Sequence, residues 1–345
     1  MKKPGIEPVV WNPPAKSDAR PDRLPTLRTF PIPGAGPEDV LIAEDGSVLT
    51  GVDDGRILRL DPETSQVTVV ADTGGRPLGL EWLPDGRLLV CDAEMGLLTV
   101  EINRGSERPP TGMPTTGMGK VETLVDHVDG QQVRICNNAA VGADGAIWFT
   151  DSSARFDFAH WKADLIEHRG TGRLLRRDPD GSTSTVCAGL QFANGVALNQ
   201  DESAVFVAET GSYAVHRVDV TGPNAGNREP LADNVPGFPD NLSLGDSGLI
   251  WVALASPRNP IIDRLSPLPP IFRRAIWALP EKAQPKPSFE VGLLGLDPVD
   301  GSVVHNLAGQ NPEFGVSTGV RERKGTVWLG SLSATSIASF ELADL

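Results

Sequence analysis

One arrangement of apolar and polar positions recurs six times along the chain. A short apolar run leads into a polar turn, often Asp-Gly, and a strongly apolar run of about five residues follows. A third run ends in a charged residue or Asp-Pro, and a fourth, more polar run closes the unit. The second runs are VLTGV at 48–52, LLVCD at 88–92, IWFTD at 147–151, VFVAE at 205–209, IWVAL at 250–254 and VWLGS at 327–331. The third runs start at Ile57, Leu97, Leu174, Val215, Leu293 and Ile337. Their β-branched and aromatic content marks strands, and the turns Asp45-Gly46, Asp85-Gly86 and Asp144-Gly145 carry hairpin chemistry. Six four-stranded units spaced 40 to 77 residues apart predict an all-β, six-bladed β-propeller.

The last unit stops after its third strand, and an orphan strand, TLRTFPI at 26–32, precedes the first. That strand is expected as the outer strand of blade six, closing the ring at its seam. Residues 1–25, rich in Pro and charge, are expected as an extended leader on the surface, with residues 26–345 forming the propeller. The largest break in the period, at 255–290, joins the second and third strands of blade five. It is expected to overhang the site as a lid, with a short helix whose Phe272, Ile276 and Leu279 share one face.

In a propeller the first strand of each blade lines the central channel. Counting back 14 residues from the end of each second strand gives Glu38, Leu78, Asn137, Asp240 and Ser317, and the longer turn of blade four moves its position to Asn194. Four of six equivalent stations therefore carry oxygen donors. An oxygen-only set without His or Cys suits calcium, less well magnesium or another divalent ion, and two carboxylates balance its charge. Strand-end capping of the backbone is the other use for such residues.

Charge and composition narrow the class of function. The net charge of −14 argues against nucleic acid or an anionic membrane as partner. Cys91, Cys136 and Cys187 are an odd set without framework spacing, so no disulfide scaffold is expected. No apolar signal-peptide core follows Lys2 and Lys3, and no stretch reaches membrane-spanning length, so a cytoplasmic protein acting on a small molecule is expected.

At the station residues the sequence resembles the strictosidine-synthase-like branch of the calcium-dependent lactonase and phosphotriesterase superfamily, which includes senescence-marker proteins, gluconolactonases and paraoxonases. The carrying segments are GPEDV at 36–40, RPLGLEW at 76–82, GAIWFTDSS at 145–153, GLQFANGVALNQDES at 189–203, VAET at 207–210 and PGFPDN at 236–241. The resemblance implies a six-bladed propeller with a central calcium on residues matching Glu38, Asn137, Asn194 and Asp240, with Asn241 matching a further ligand of the paraoxonase pattern. Where that pattern has an Asp for a second calcium, this chain has Asn138. Two departures count against carrying over particular reactions. Thr318 stands where strictosidine synthases have their glutamate, with Glu322 too far along the strand, and Leu78 replaces the first histidine of the paraoxonase dyad.

Asp240 is the best candidate for chemistry as well as ligation, as nucleophile or general base. His127, His160 and His168 fall in loops on the same face and are candidates for proton transfer, whereas His216 and His305 fall in outer strands. The function expected is calcium-dependent hydrolysis of a lactone or ester with an apolar portion. The alternatives are a condensing enzyme of strictosidine-synthase type that lacks the usual glutamate, or a non-catalytic propeller that binds a small molecule or protein.

Overall fold

A computed structural model describes residues 3–16, 19–102 and 118–345. Six antiparallel sheets stand in a ring as the blades of a β-propeller. Among the second strands, Leu88–Asp92 and Ile147–Asp151 are buried from end to end, and the apolar runs of the others are buried too. Each lies in mid-sheet with a neighbouring blade on both faces, which is why it reads as a continuous apolar run. The core is accordingly six radial interfaces. One apolar cluster lies between each pair of adjacent blades, such as Leu89, Cys91 and Leu97 of blade two against Ala139, Ile147 and Phe149 of blade three.

Arg28–Pro31 pairs antiparallel with Ser336–Glu341 as the outermost strand of blade six, and buries Phe30 in the interface with blade one. The segment before it is more engaged than a surface leader. Asp22–Arg23 adds a fifth, parallel strand to blade five, and Leu24 is buried between blades five and six. Residues 3–16 lie across helices on one face of the ring, described below.

The inner strands share one irregularity that positions the site. In blade two, Pro77 pairs with Asp92 and Leu80 with Val90, so residues 78 and 79 together oppose one residue. The same bulge falls at 137–138, 194–195, 240–241 and 318–319 in blades three to six. A bulge re-aims side chains out of the regular alternation, here at the channel end of each inner strand. This register corrects the count in blade six. Its hairpin closes with Arg323 opposite Thr326, a turn one residue shorter than that of blade two, so the equivalent station is Thr318 and not Ser317. Ser317 instead bonds the backbone of blade five, donating to Leu254 O at 3.2 Å.

The second bulge positions of blades two to six, taken with Asp39 beside Glu38 in blade one, alternate around the ring: Asp39, Gly79, Asn138, Gly195, Asn241, Gly319. Each glycine makes room for the polar residue of the next blade. A Cβ on Gly195 would lie 2.3 Å from Leu242 N and 2.6 Å from Asn241 Cα, and one on Gly79 or Gly319 would collide with Asn138 or Asp39 in the same way. Two of the polar residues accept from the backbone of the next blade. Leu80 N donates to Asp39 Oδ2 at 3.2 Å, and Val196 N donates to Asn138 Oδ1 at 3.2 Å.

Candidate functional site

Glu38 of blade one and the bulge residues Leu78, Asn137, Asn194 and Asp240 line the floor of one open cavity, whose space is about 890 Å³ counted with its mouth. Glu38 precedes the short first strand of blade one (Leu41–Ile42), and Thr318 Oγ1 donates to its carbonyl at 2.8 Å. Helix α1 (Trp161–Glu167) and the turn before it form one wall with Phe158, Trp161, Lys162, Leu165 and Ile166. The blade-five insertion forms the facing part with Ala255, Ser256, Asn259, Ile262 and the segment Pro285-Lys286-Pro287.

The amides at the floor are held by their nitrogens. Asn137 Nδ2 donates to Ser152 Oγ at 2.9 Å, Asn194 Nδ2 to Thr210 Oγ1 at 3.2 Å and Asn241 Nδ2 to Glu38 Oε2 at 3.0 Å. Their oxygens are left over. Asn137 Oδ1, Asn194 Oδ1, Asn241 Oδ1 and Asp240 Oδ1 are all buried without a hydrogen-bond partner. An unsatisfied buried oxygen costs about 1–3 kcal/mol, so four at one place form a deficit that protein atoms do not fill.

The carboxylates add to it. Burial, and then the charge of Asp39, push Glu38 up to about 7, against the pull of Arg76 and the Asn241 hydrogen bond. Asp240 is raised well above the carboxylate range by burial and then by the charge of Glu38. Two buried carboxylates, with the charge of Glu38 disfavouring ionisation of Asp240, beside orphaned amide oxygens, are the donor set a hard divalent cation satisfies. Among the described residues no three His, Cys, Asp or Glu side chains cluster as metal ligands, so the amides are essential to such a site. Asn138 Oδ1 already accepts from Val196 N, which leaves it spoken for.

The histidines singled out from the sequence lie elsewhere. None of the three lines the cavity. His127 is exposed in a small hairpin beside Asp126. His160 bonds Asp157 at 2.6 Å and meets the edge of Trp277. His168 is buried in a left-handed turn after α1, stacked on Trp11 with ring centroids 4.0 Å apart. Burial, and then the charge of Arg273, lower it to about 4, so it is neutral at physiological pH. Glu322 sits away from the cavity, where Oε2 accepts from Ser247 N at 2.7 Å.

The insertion holds helices α2 (Pro260–Leu265) and α3 (Ile271–Ala278). Of the face that carries Phe272, Ile276 and Leu279, Phe272 and Leu279 are open to solvent; Arg273 and Trp277 are buried instead. The reason is the N-terminal segment, which lies over α3 and α1 and supplies their partners. Trp277 Nε1 donates to Pro4 O at 2.7 Å, Arg273 donates to Val9 O and Ile166 O, and Val9 N donates to Glu167 O at 2.9 Å. Sequence reading missed this strap because it has no periodicity, and missed the alternation at the bulges, which is readable once each station is taken with its following residue.

Comparison with known proteins agrees with this architecture. Residues 37–268 match the family model described as the SMP-30/Gluconolactonase/LRE-like region. Strictosidine synthase-like protein 10 of Arabidopsis thaliana is 32% identical over 96% of this chain and 92% of its own length. Among solved structures, a gluconolactonase from Xanthomonas campestris superposes with a TM-score of 0.64 at 17% identity, covering 98% of both chains. A calcium-binding regucalcin from Agrobacterium tumefaciens superposes with a TM-score of 0.59 at 12% identity, covering 90% of both.

Proposed function

We propose, for a chain that belongs to the SMP-30/Gluconolactonase/LRE-like family, the hydrolysis of a lactone or ester with an apolar portion at a calcium-loaded central site. The family supports a lactonase- or hydrolase-type role. The observation that carries the reading is the set of orphaned oxygens of Asn137, Asn194, Asp240 and Asn241 beside Glu38, under an apolar cavity. The calcium-binding relative of the same fold supports the choice of ion.

Glu38, Asn137, Asn194, Asp240 and Asn241 would hold the cation. When bound, it supplies polarisation of a substrate carbonyl and lowers the pKa of water. The chain supplies the rest. Phe158, Trp161, Phe192 and Phe238 exclude water from the acyl portion and orient it over the floor. Asp240 lines the cavity, so beyond giving Oδ1 to the cation its carboxylate is the group placed to take a proton from attacking water or to attack the carbonyl carbon itself.

A strictosidine-type condensation has less support. Thr318 occupies the station of blade six, and its hydroxyl is committed to Glu38 O. The test is hydrolysis of aliphatic lactones and aryl esters by chelator-treated protein, with and without calcium. Calcium should restore the rate, and Asp240→Asn should lose about 100-fold or more. No condensation product should form from tryptamine and an aldehyde. Chelator-insensitive condensation by the wild type would overturn the reading.

A further inference from the structure

Only four charged side chains line the cavity among the described residues, and they are sorted by depth. Glu38 and Asp240 are buried at the floor, 3% and 8% exposed. Lys162 is half-buried on α1, and Lys286 is exposed on the insertion. Aromatic and aliphatic side chains fill the wall between the two levels, including Trp161, Leu165, Phe192 and Ile262.

The two lysines are poorly matched by the protein itself. Lys286 has no hydrogen bond or ion pair to any described residue. It stands between Pro285 and Pro287, which hold the backbone extended and reduce the cost of presenting the side chain at the mouth. Lys162 Nζ reaches Glu281 Oε1 only at 3.5 Å, and that carboxylate is 76% exposed. Such a pair contributes little and exchanges readily for another anion. In a chain of net charge −14, two lysines facing one apolar cavity are a local reversal of sign that an anionic ligand would meet on entry.

We infer that the site takes an amphiphilic anion, a lactone or ester whose hydrocarbon portion ends in a carboxylate or similar group held by Lys162 and Lys286, which rests on the hydrolase reading above. The carbonyl goes to the floor, the hydrocarbon spans the apolar wall, and the charge stays at the wet rim. Chain length between carbonyl and anion then becomes a specificity determinant, because both ends are fixed.

Matched aryl esters test this. Mono-aryl esters of alkanedioic acids and aryl esters of the corresponding alkanoic acids differ only in the terminal carboxylate. In calcium-loaded wild-type protein at low salt, the ratio of kcat/KM, anionic over neutral, should peak at one chain length at about tenfold, the scale of two exposed ion pairs. High salt should compress that ratio. Lys162→Ala with Lys286→Ala should bring it to about one, and Lys286→Glu should turn the preference toward esters ending in an ammonium group. A wild-type ratio near one at every chain length, or a ratio the double variant leaves intact, would overturn the inference.

Binding without turnover separates it from the hydrolase reading. Calorimetry with decanoate and with decanol should give saturable binding of decanoate alone, lost in the double variant. If neither ester is cleaved but decanoate binds in this way, the hydrolase reading falls and the anionic ligand class stands. If decanol and decanoate bind alike, the ligand class falls whatever the hydrolysis shows.

Discussion

Asn241 Nδ2 donates to Glu38 Oε2 at 3.0 Å, joining blade five to blade one across 203 positions of sequence. The bond fixes the orientation of both groups, so that Asn241 Oδ1 is the atom left without a partner. Asn241→Ala frees the Glu38 carboxylate from its only side-chain hydrogen-bond donor among the described residues. Calcium affinity, measured by titration, should fall about tenfold or more, the usual effect of losing a group that orients a ligand. An unchanged affinity would remove Asn241 from the site.

The two floor carboxylates set the pH dependence of the metal-free protein. Glu38 is raised to about 7 and Asp240 is raised further above its ordinary range, mainly by burial. Between the unfolded and folded pKa values the native state binds more protons than the unfolded one, so stability falls as pH rises. Chelator-treated protein should therefore lose Tm on this account as pH rises from about 4.5 to about 7, the span of the Glu38 shift, and calcium should restore more Tm at the upper end than at the lower. Glu38→Gln should flatten the metal-free profile. A metal-free profile that stays level in wild type and variant alike would show that the pair is not strained.

The bulge alternation predicts unequal tolerance at neighbouring positions. A Cβ at Gly195 meets backbone atoms, Leu242 N at 2.3 Å and Asn241 Cα at 2.6 Å, which cannot swing aside. Gly195→Ala should cost several kcal/mol, about 3 or more, by the scale of overpacked cores, read as a loss of denaturation midpoint. Gly74, in a turn with open space around it but φ of +73°, should lose only about 1 kcal/mol on the same change.

Two truncations separate the strap from the closing strand. Removing residues 1–16 takes away the strap's hydrogen bonds to Trp277, Arg273 and Glu167, yet leaves every blade strand in place. The product should melt cooperatively, with trypsin cutting at Arg264 and Arg274 about tenfold faster than in the full chain. Removing residues 1–32 deletes the outer strand of blade six and Phe30, and should leave no cooperative transition. Equal protease resistance in the full and shorter-truncated chains would show that the strap does not hold α3.

The fold was legible because each second strand, packed on both faces, carries an unbroken apolar run, and six such runs cannot be mistaken for noise. The floor of the site was legible for a related reason. Glu38, Asn137, Asn194 and Asp240 are polar residues at places where a strand start would otherwise be apolar, and equal spacing exposes them. Blade six escaped because spacing depends on the turn, and its turn is one residue shorter. The histidines misled because a loop's sequence does not say which way it folds. His168 was drawn into the body by stacking on Trp11, a contact between segments 157 residues apart with no pattern to link them. The buried face of the insertion helix was not legible for the same reason, since Pro4 and Val9 of the strap supply its partners.

The central claim is that Asn137, Asn194, Asp240 and Asn241 leave their oxygens unpartnered because a cation completes them. Calorimetric titration of chelator-treated protein with calcium tests this most directly. The account predicts one saturable site per chain in the wild type, lost in Asp240→Asn and in Glu38→Gln, with both variants keeping a cooperative melt. Heat of dilution alone from folded wild-type protein, across calcium concentrations up to the millimolar range of weak calcium sites, would contradict it.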